Sequence, residues 1–150
     1  RNRPDSLQRG RAFSIWVHRL SQTFQVIKTS SDEEMLAFGF ASVAVKSDGE
    51  QVVDSYSDVI DPQDLEKAAY HYVLRSREGG VDHQQMGVAR LVESFVITPE
   101  KLQKLGLAPD ALPQGWWIGM KVDDPAVWKR VKSGELRSFS IAGRARREAV

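Results

Sequence analysis

Cysteine is absent from this chain of 150 residues, which excludes disulfides, thiolate metal sites and a cysteine nucleophile. Charge of one sign is lacking as well, since 21 Lys and Arg stand against 20 Asp and Glu, for a net charge of +1. That balance gives no global reason to expect nucleic acid or an anionic membrane as partner. No apolar run approaches the ~20 residues of a membrane-spanning helix, and nothing near Arg1 has the layout of a signal peptide, so the chain is expected to act inside a cell. A start at Arg1 rather than Met reads as a piece of a longer product. Internal repeats are missing, and so is a Gly-x-Ser-x-Gly elbow, which argues against an α/β-hydrolase. What is present is 41% hydrophobic and 27% charged residues, the mixture of one soluble globular domain. A chain of this length buries roughly 70% of its unfolded surface and needs no metal or crosslink to build a core.

Proline and glycine punctuate the chain. Residues 1–11 are polar and basic and read as a mobile lead-in, and residues 12–28 alternate loosely, with Phe13, Ile15 and Val17 and then Phe24 and Val26, which suggests two short strands. Residues 37–46 are small, β-branched and aromatic and stop at the turn sequence Ser47-Asp48-Gly49, with a further short strand around Val52 and Val53. Asp61 then caps a helix whose first residue is Pro62, with Leu65, Ala68, Ala69, Tyr72 and Val73 as its buried stripe and Gly79-Gly80 as its stop. Residues 87–97 read as a long strand, Thr98-Pro99-Glu100 opens a short helix ending at Gly106, and residues 115–122 read as another strand. Trp116 and Trp117 face opposite sides of that strand, one toward the core. Asp124-Pro125 repeats the cap-then-proline signature, with Val127, Trp128 and Val131 buried and Gly134 as the stop. Asp123-Asp124 is better read as a helix start than as a metal pair. A last strand spans Leu136 to Ala145. Strands outnumber the short helices inserted between them, so the class is α+β, with a small, mostly antiparallel β-barrel.

In the last strand Phe139 and Ile141 share one face, expected inward, while Ser138, Ser140 and Ala142 share the other, expected to be the wet one. A serine needs a base to become a nucleophile. Three histidines are available. His18 lies in the early strand pair and His71 on the helix opened by Pro62, beside Tyr70 and Tyr72. His83 differs, since it stands in a short exposed segment between a helix and a strand, where functional residues concentrate. Its imidazole can take a serine proton near neutral pH.

The order of motifs resembles the phage prohead proteases of the defective-prophage type. The resemblance runs from Phe38-Gly39-Phe40-Ala41-Ser42-Val43 through Asp64-Leu65-Glu66-Lys67-Ala68-Ala69 and Gly80-Val81-Asp82-His83 to Gly87-Val88-Ala89-Arg90-Leu91-Val92-Glu93-Ser94. It continues through Gly115-Trp116-Trp117-Ile118-Gly119 to Phe139-Ser140-Ile141-Ala142-Gly143. It implies a protease domain over 35–150, with 1–34 as an N-terminal lead-in and short strand pair outside it. It also implies the fold of herpesvirus assemblin, a small β-barrel surrounded by helices, and a serine endopeptidase that processes scaffold and major capsid proteins inside the assembling prohead in the host cytoplasm. The family's histidine falls on His83 and its nucleophile on Ser140, with Ala142 where relatives usually have Gly and Ser138 as the rival nucleophile. For the third catalytic member the readings are Glu93, Asp82 or a residue past Val150. No cofactor or metal is implied. Self-association or self-cleavage is consistent with the family, and neither a membrane nor nucleic acid is expected as partner. The alternative is a catalytically inactive structural or scaffold-binding domain on the same fold. A fainter one is a nucleic-acid-binding β-barrel suggested by the basic C-terminal segment around Arg144, Arg146 and Arg147.

Overall fold

Two proline-capped helices frame the domain as their sequences require. In a computed structural model, which describes residues 14–18, 26–29, 31–54, 57–82 and 84–142, α1 spans Pro62–Arg75 and α3 spans Pro125–Lys132. The Asp61 carboxylate accepts from the amides of Gln63 and Asp64, and that of Asp124 from Ala126, so amides that a helix start leaves unpaired are satisfied. The short α2, Pro99–Lys104, is capped in the same way by the Thr98 hydroxyl. Its Lys101 ammonium reaches the Glu66 carboxylate at 2.9 Å, the Tyr70 hydroxyl at 3.0 Å and the Val96 carbonyl at 3.0 Å, tying α2 to α1 and the sheet.

Among the described residues seven strands form one sheet: β1 Ser14–His18, β2 Val26–Thr29, β3 Leu36–Val45, β4 Glu78–Val81, β5 Gln85–Ile97, β6 Gln114–Val122 and β7 Ser138–Ala142. Their spatial order is β2-β3-β6-β5-β4-β1-β7, antiparallel throughout except for β1 beside β4. The sheet curls until β7 lies against β3, giving a mixed α/β half-barrel with short helices. The two early strands expected at residues 12–28 exist, but they do not pair with each other. β2 takes the outer edge on β3, and β1 is inserted between β4 and β7.

The core gathers under α1 and α3. Leu65, Ala69 and Tyr72 of α1 and Val127, Trp128 and Val131 of α3 are buried with Trp116, Ile118, Met120 and Val122 of β6. Trp116 and Trp117 do divide between the faces. Trp116 is fully buried, 5.4 Å edge-on from Tyr72, and its indole N–H donates to Ser94 Oγ at 2.9 Å. Trp117 is half-buried on the other face, edge-on to Phe40 at 5.4 Å. A smaller cluster of Phe40, Val43, Ile97 and Leu102 sits under α2.

One stop signal carries a different meaning. Gly79-Gly80 was expected to end α1, yet α1 closes at Ser76, where Arg77 takes a left-handed backbone (φ +63°), and the two glycines lie buried inside β4. Gly79 packs closely: a Cβ there would stand 2.7 Å from Met120 Cε, the movable end of a long side chain, and 3.3 Å from Ala89 Cβ. The exposed segment expected before residue 87 is thus the end of a β4–β5 hairpin.

Tyr72 gives the fold a pH signature. Its buried hydroxyl donates to the Glu78 carbonyl at 2.7 Å, and burial, then the Glu78 charge, hold the phenol above its ordinary value of 10.0. The unfolded chain ionises first, so this stability is whole below the ordinary phenol range and is lost as pH rises through it. The urea midpoint of the native chain should therefore fall more steeply from about pH 9 to about pH 11 than that of Tyr72→Phe. Parallel declines would show that Tyr72 carries no such linkage.

Candidate active site

Alternation along β7 puts Phe139 in the core, 4% exposed, with Ile141 packed partly buried beside it, as the sequence pattern requires. The opposite face is not the wet one that the pattern suggested. Ser138 is 0% exposed, Ser140 is half-buried, and the Oγ atoms of both are shielded and have no hydrogen-bond partner among the described residues. Polarity read along one strand does not register that curling of the sheet brings β7 against β3. A desolvated hydroxyl without a partner costs about 1–3 kcal/mol, so two of them on adjacent same-face positions call for an explanation such as chemistry.

The sheet register ties this strand to the segment that carries the candidate base. Ser140 pairs with Trp16 of β1, and Trp16 pairs with Gly80 of β4; one step further, Phe139, Val17 and Val81 form the next row. Two interstrand spacings, about 10 Å, therefore separate β7 from β4. Immediately after Val81 the chain turns, and the Gln84 amide closes the turn on the Val81 carbonyl at 3.0 Å. His83 itself lies outside the described residues, while its neighbours Asp82 and Gln84 are within them. His18 is the register partner of Ser138, and His71 lies half-buried on α1.

Asp82 is not extended. Its backbone is left-handed (φ +49°), a conformation that non-glycine residues adopt at a cost, and its carboxylate is engaged by Arg130 Nη2 of α3 at 3.1 Å. The same guanidinium donates from Nε to Glu135 Oε1 at 3.0 Å. Burial works against the Arg130 charge, but the bonds to Asp82 and Glu135 outweigh it and hold the group more firmly protonated than a free arginine. Sequence reasoning missed Arg130, and nothing local signals it, because its partner Asp82 is 48 residues away.

Glu93 is not brought to this turn. It is exposed on β5 opposite Gly119 of β6, beyond the opposite end of β4 from Asp82: Gln85 pairs with Val81, Arg90 with Glu78, and Glu93 lies further on still. By strand rise that is on the order of 20 Å from the turn. Asp123 and Asp124 act as a salt-bridge partner and a cap: Arg90 grips Asp123 with two hydrogen bonds of 2.7 and 2.8 Å. Among the described residues no group of three or more His, Asp or Glu is set to hold a metal, and no helix is long and apolar enough to cross a membrane. An open groove of about 590 Å³ runs between the starts of α1 and α2, past Glu66, Thr98 and Glu100. None of the described residues that line it belongs to β4 or β7.

The family model described as "Putative phage serine protease XkdF" matches residues 23–148. This chain belongs to that family. The match takes in β2 to β7 and leaves β1 outside. Two curated relatives come from Bacillus subtilis (strain 168). The uncharacterized protein YqbD is 28% identical over 122 residues, covering 81% of this chain and 35% of that protein. The phage-like element PBSX protein XkdF is 26% identical over 119 residues, covering 79% of this chain and 40% of that protein. The chain thus spans well under half the length of either relative. No solved structure matches.

Proposed function

We propose that this XkdF-family chain is a serine endopeptidase in which Ser140 is the nucleophile and His83 the general base. The observation that carries the reading is the row Gly80, Trp16, Ser140: it sets a shielded hydroxyl, without a partner among the described residues, two strands from the turn closed between Val81 and Gln84. His83 takes the Ser140 proton as Oγ attacks a peptide carbonyl. The proton then passes to the departing amine, an acyl-enzyme forms, and water activated by the same imidazole hydrolyses it. Ser140 is preferred to Ser138 because the resemblance puts the family's nucleophile there; the residue is partly exposed, although its Oγ is shielded like that of Ser138. Glu93 takes no part, being too far along β5.

The substrates in this reading are the scaffold and major capsid proteins of a phage, cleaved during maturation inside the assembling prohead in the host cytoplasm, on an assemblin-like barrel. Membership of a phage protease family supports it. Mass-spectrometric mapping of a fluorophosphonate adduct is the test. A single adduct on Ser140, lost in His83→Ala, is the expected result. No adduct, alone or after co-expression with capsid and scaffold proteins, would leave an inactive structural domain.

A further inference from the structure

We infer that Arg130 is a positioning residue for the catalytic pair, a single guanidinium that locks the turn before His83 to the segment that leads into the Ser140 strand. This rests on the reading of His83 and Ser140 as base and nucleophile. The geometry is specific. Arg130 has two carboxylate partners, and each belongs to one half of the proposed site. Asp82 immediately precedes His83, and Glu135 stands three residues before β7 begins. The backbone repeats the link, because the Leu136 amide donates to the Arg130 carbonyl at 3.0 Å. Leu136 is itself fully buried, so the approach to β7 is anchored at this point.

Asp82 shows why a clamp is useful there. Its left-handed backbone is unfavourable for a residue with a Cβ, and such a conformation persists only where surrounding contacts over-determine it. The Arg130 bond at 3.1 Å and the closed turn from Val81 to Gln84 are two such contacts. A planar guanidinium can hold two carboxylates in fixed directions, whereas an ammonium holds them only as a point charge. Both ion pairs are about one-third exposed, so the feature is better suited to setting geometry than to adding bulk stability.

The rate of fluorophosphonate labelling at Ser140 tests the inference. Arg130→Gln should label at least about tenfold more slowly than the native chain while its circular dichroism and thermal unfolding remain those of a folded protein. Arg130→Lys should recover part of the rate, which a purely structural loss would not do. Lys132→Ala, which removes a different ion pair of the same helix (2.7 Å to Asp32), should label as the native chain does. If Arg130→Gln fails to fold, Asp82→Asn and Glu135→Gln each weaken one carboxylate arm of the Arg130 clamp, and both should slow labelling. Native-rate labelling in folded Arg130→Gln, or in both single-arm variants, would overturn the clamp, as would equal slowing in Lys132→Ala. A native chain that never labels at Ser140 would instead remove the proposed function, and the clamp with it.

Discussion

Ser140→Ala is expected to abolish fluorophosphonate labelling and peptide cleavage while leaving the fold intact, and Ser138→Ala to keep both activities. Loss of a serine nucleophile costs on the order of 10⁶-fold in turnover, far beyond any other single change expected here. The stability side follows from burial. Neither hydroxyl has a hydrogen-bond partner among the described residues, and both Oγ atoms are shielded. Alanine at either position removes a desolvated polar atom and breaks no bond among those residues, so the unfolding free energy should stay level or rise by about 1 kcal/mol. Urea unfolding of both variants beside the labelling assay separates the outcomes. A Ser138→Ala protein that loses labelling while Ser140→Ala keeps it would reverse the assignment. A loss of more than about 2 kcal/mol in either would show that the hydroxyl was holding the strand together.

Local signals account for what was legible in the sequence. Asp61-Pro62 and Asp124-Pro125 announced α1 and α3, because capping and the missing proline amide act within one turn of the helix. Of the expected α1 stripe Leu65, Ala69 and Tyr72 are buried and Ala68 and Val73 only half-buried at its margins, while Val127, Trp128 and Val131 of α3 are all buried. Gly79-Gly80 misled because a glycine pair packed inside a strand looks identical in sequence to one that ends a helix, and here both lie buried in β4. The faces of β7 were half legible. Phe139 went inward as its period demanded, but Ser138 is buried as well, in a strand that lies against β3, almost a hundred residues earlier in the chain. The insertion of β1 between β4 and β7 and the reach of Arg130 to Asp82 are pairings of distant segments, and periodicity carries no information about them.

The second large effect concerns Trp116, at the centre of the core between α1 and the sheet. Trp116→Ala should lower the unfolding free energy by about 3–5 kcal/mol, because the indole is fully enclosed and its removal leaves a cavity that surrounding strands cannot close. Two specific contacts go with it: the edge-on packing against Tyr72 that seats α1 on the sheet, and the N–H bond to Ser94 Oγ on β5. Against a total of roughly 5–15 kcal/mol for a domain of ordinary stability, that loss is a large fraction of what holds the fold. Trp117→Ala is the internal control, since its ring is half-exposed and only its edge-on contact with Phe40 and part of its area are lost. Urea midpoints for the two variants should differ in that order. Equal losses would mean that the two faces of β6 contribute alike, and that the half-open side is packed as tightly in solution as the core beneath α1.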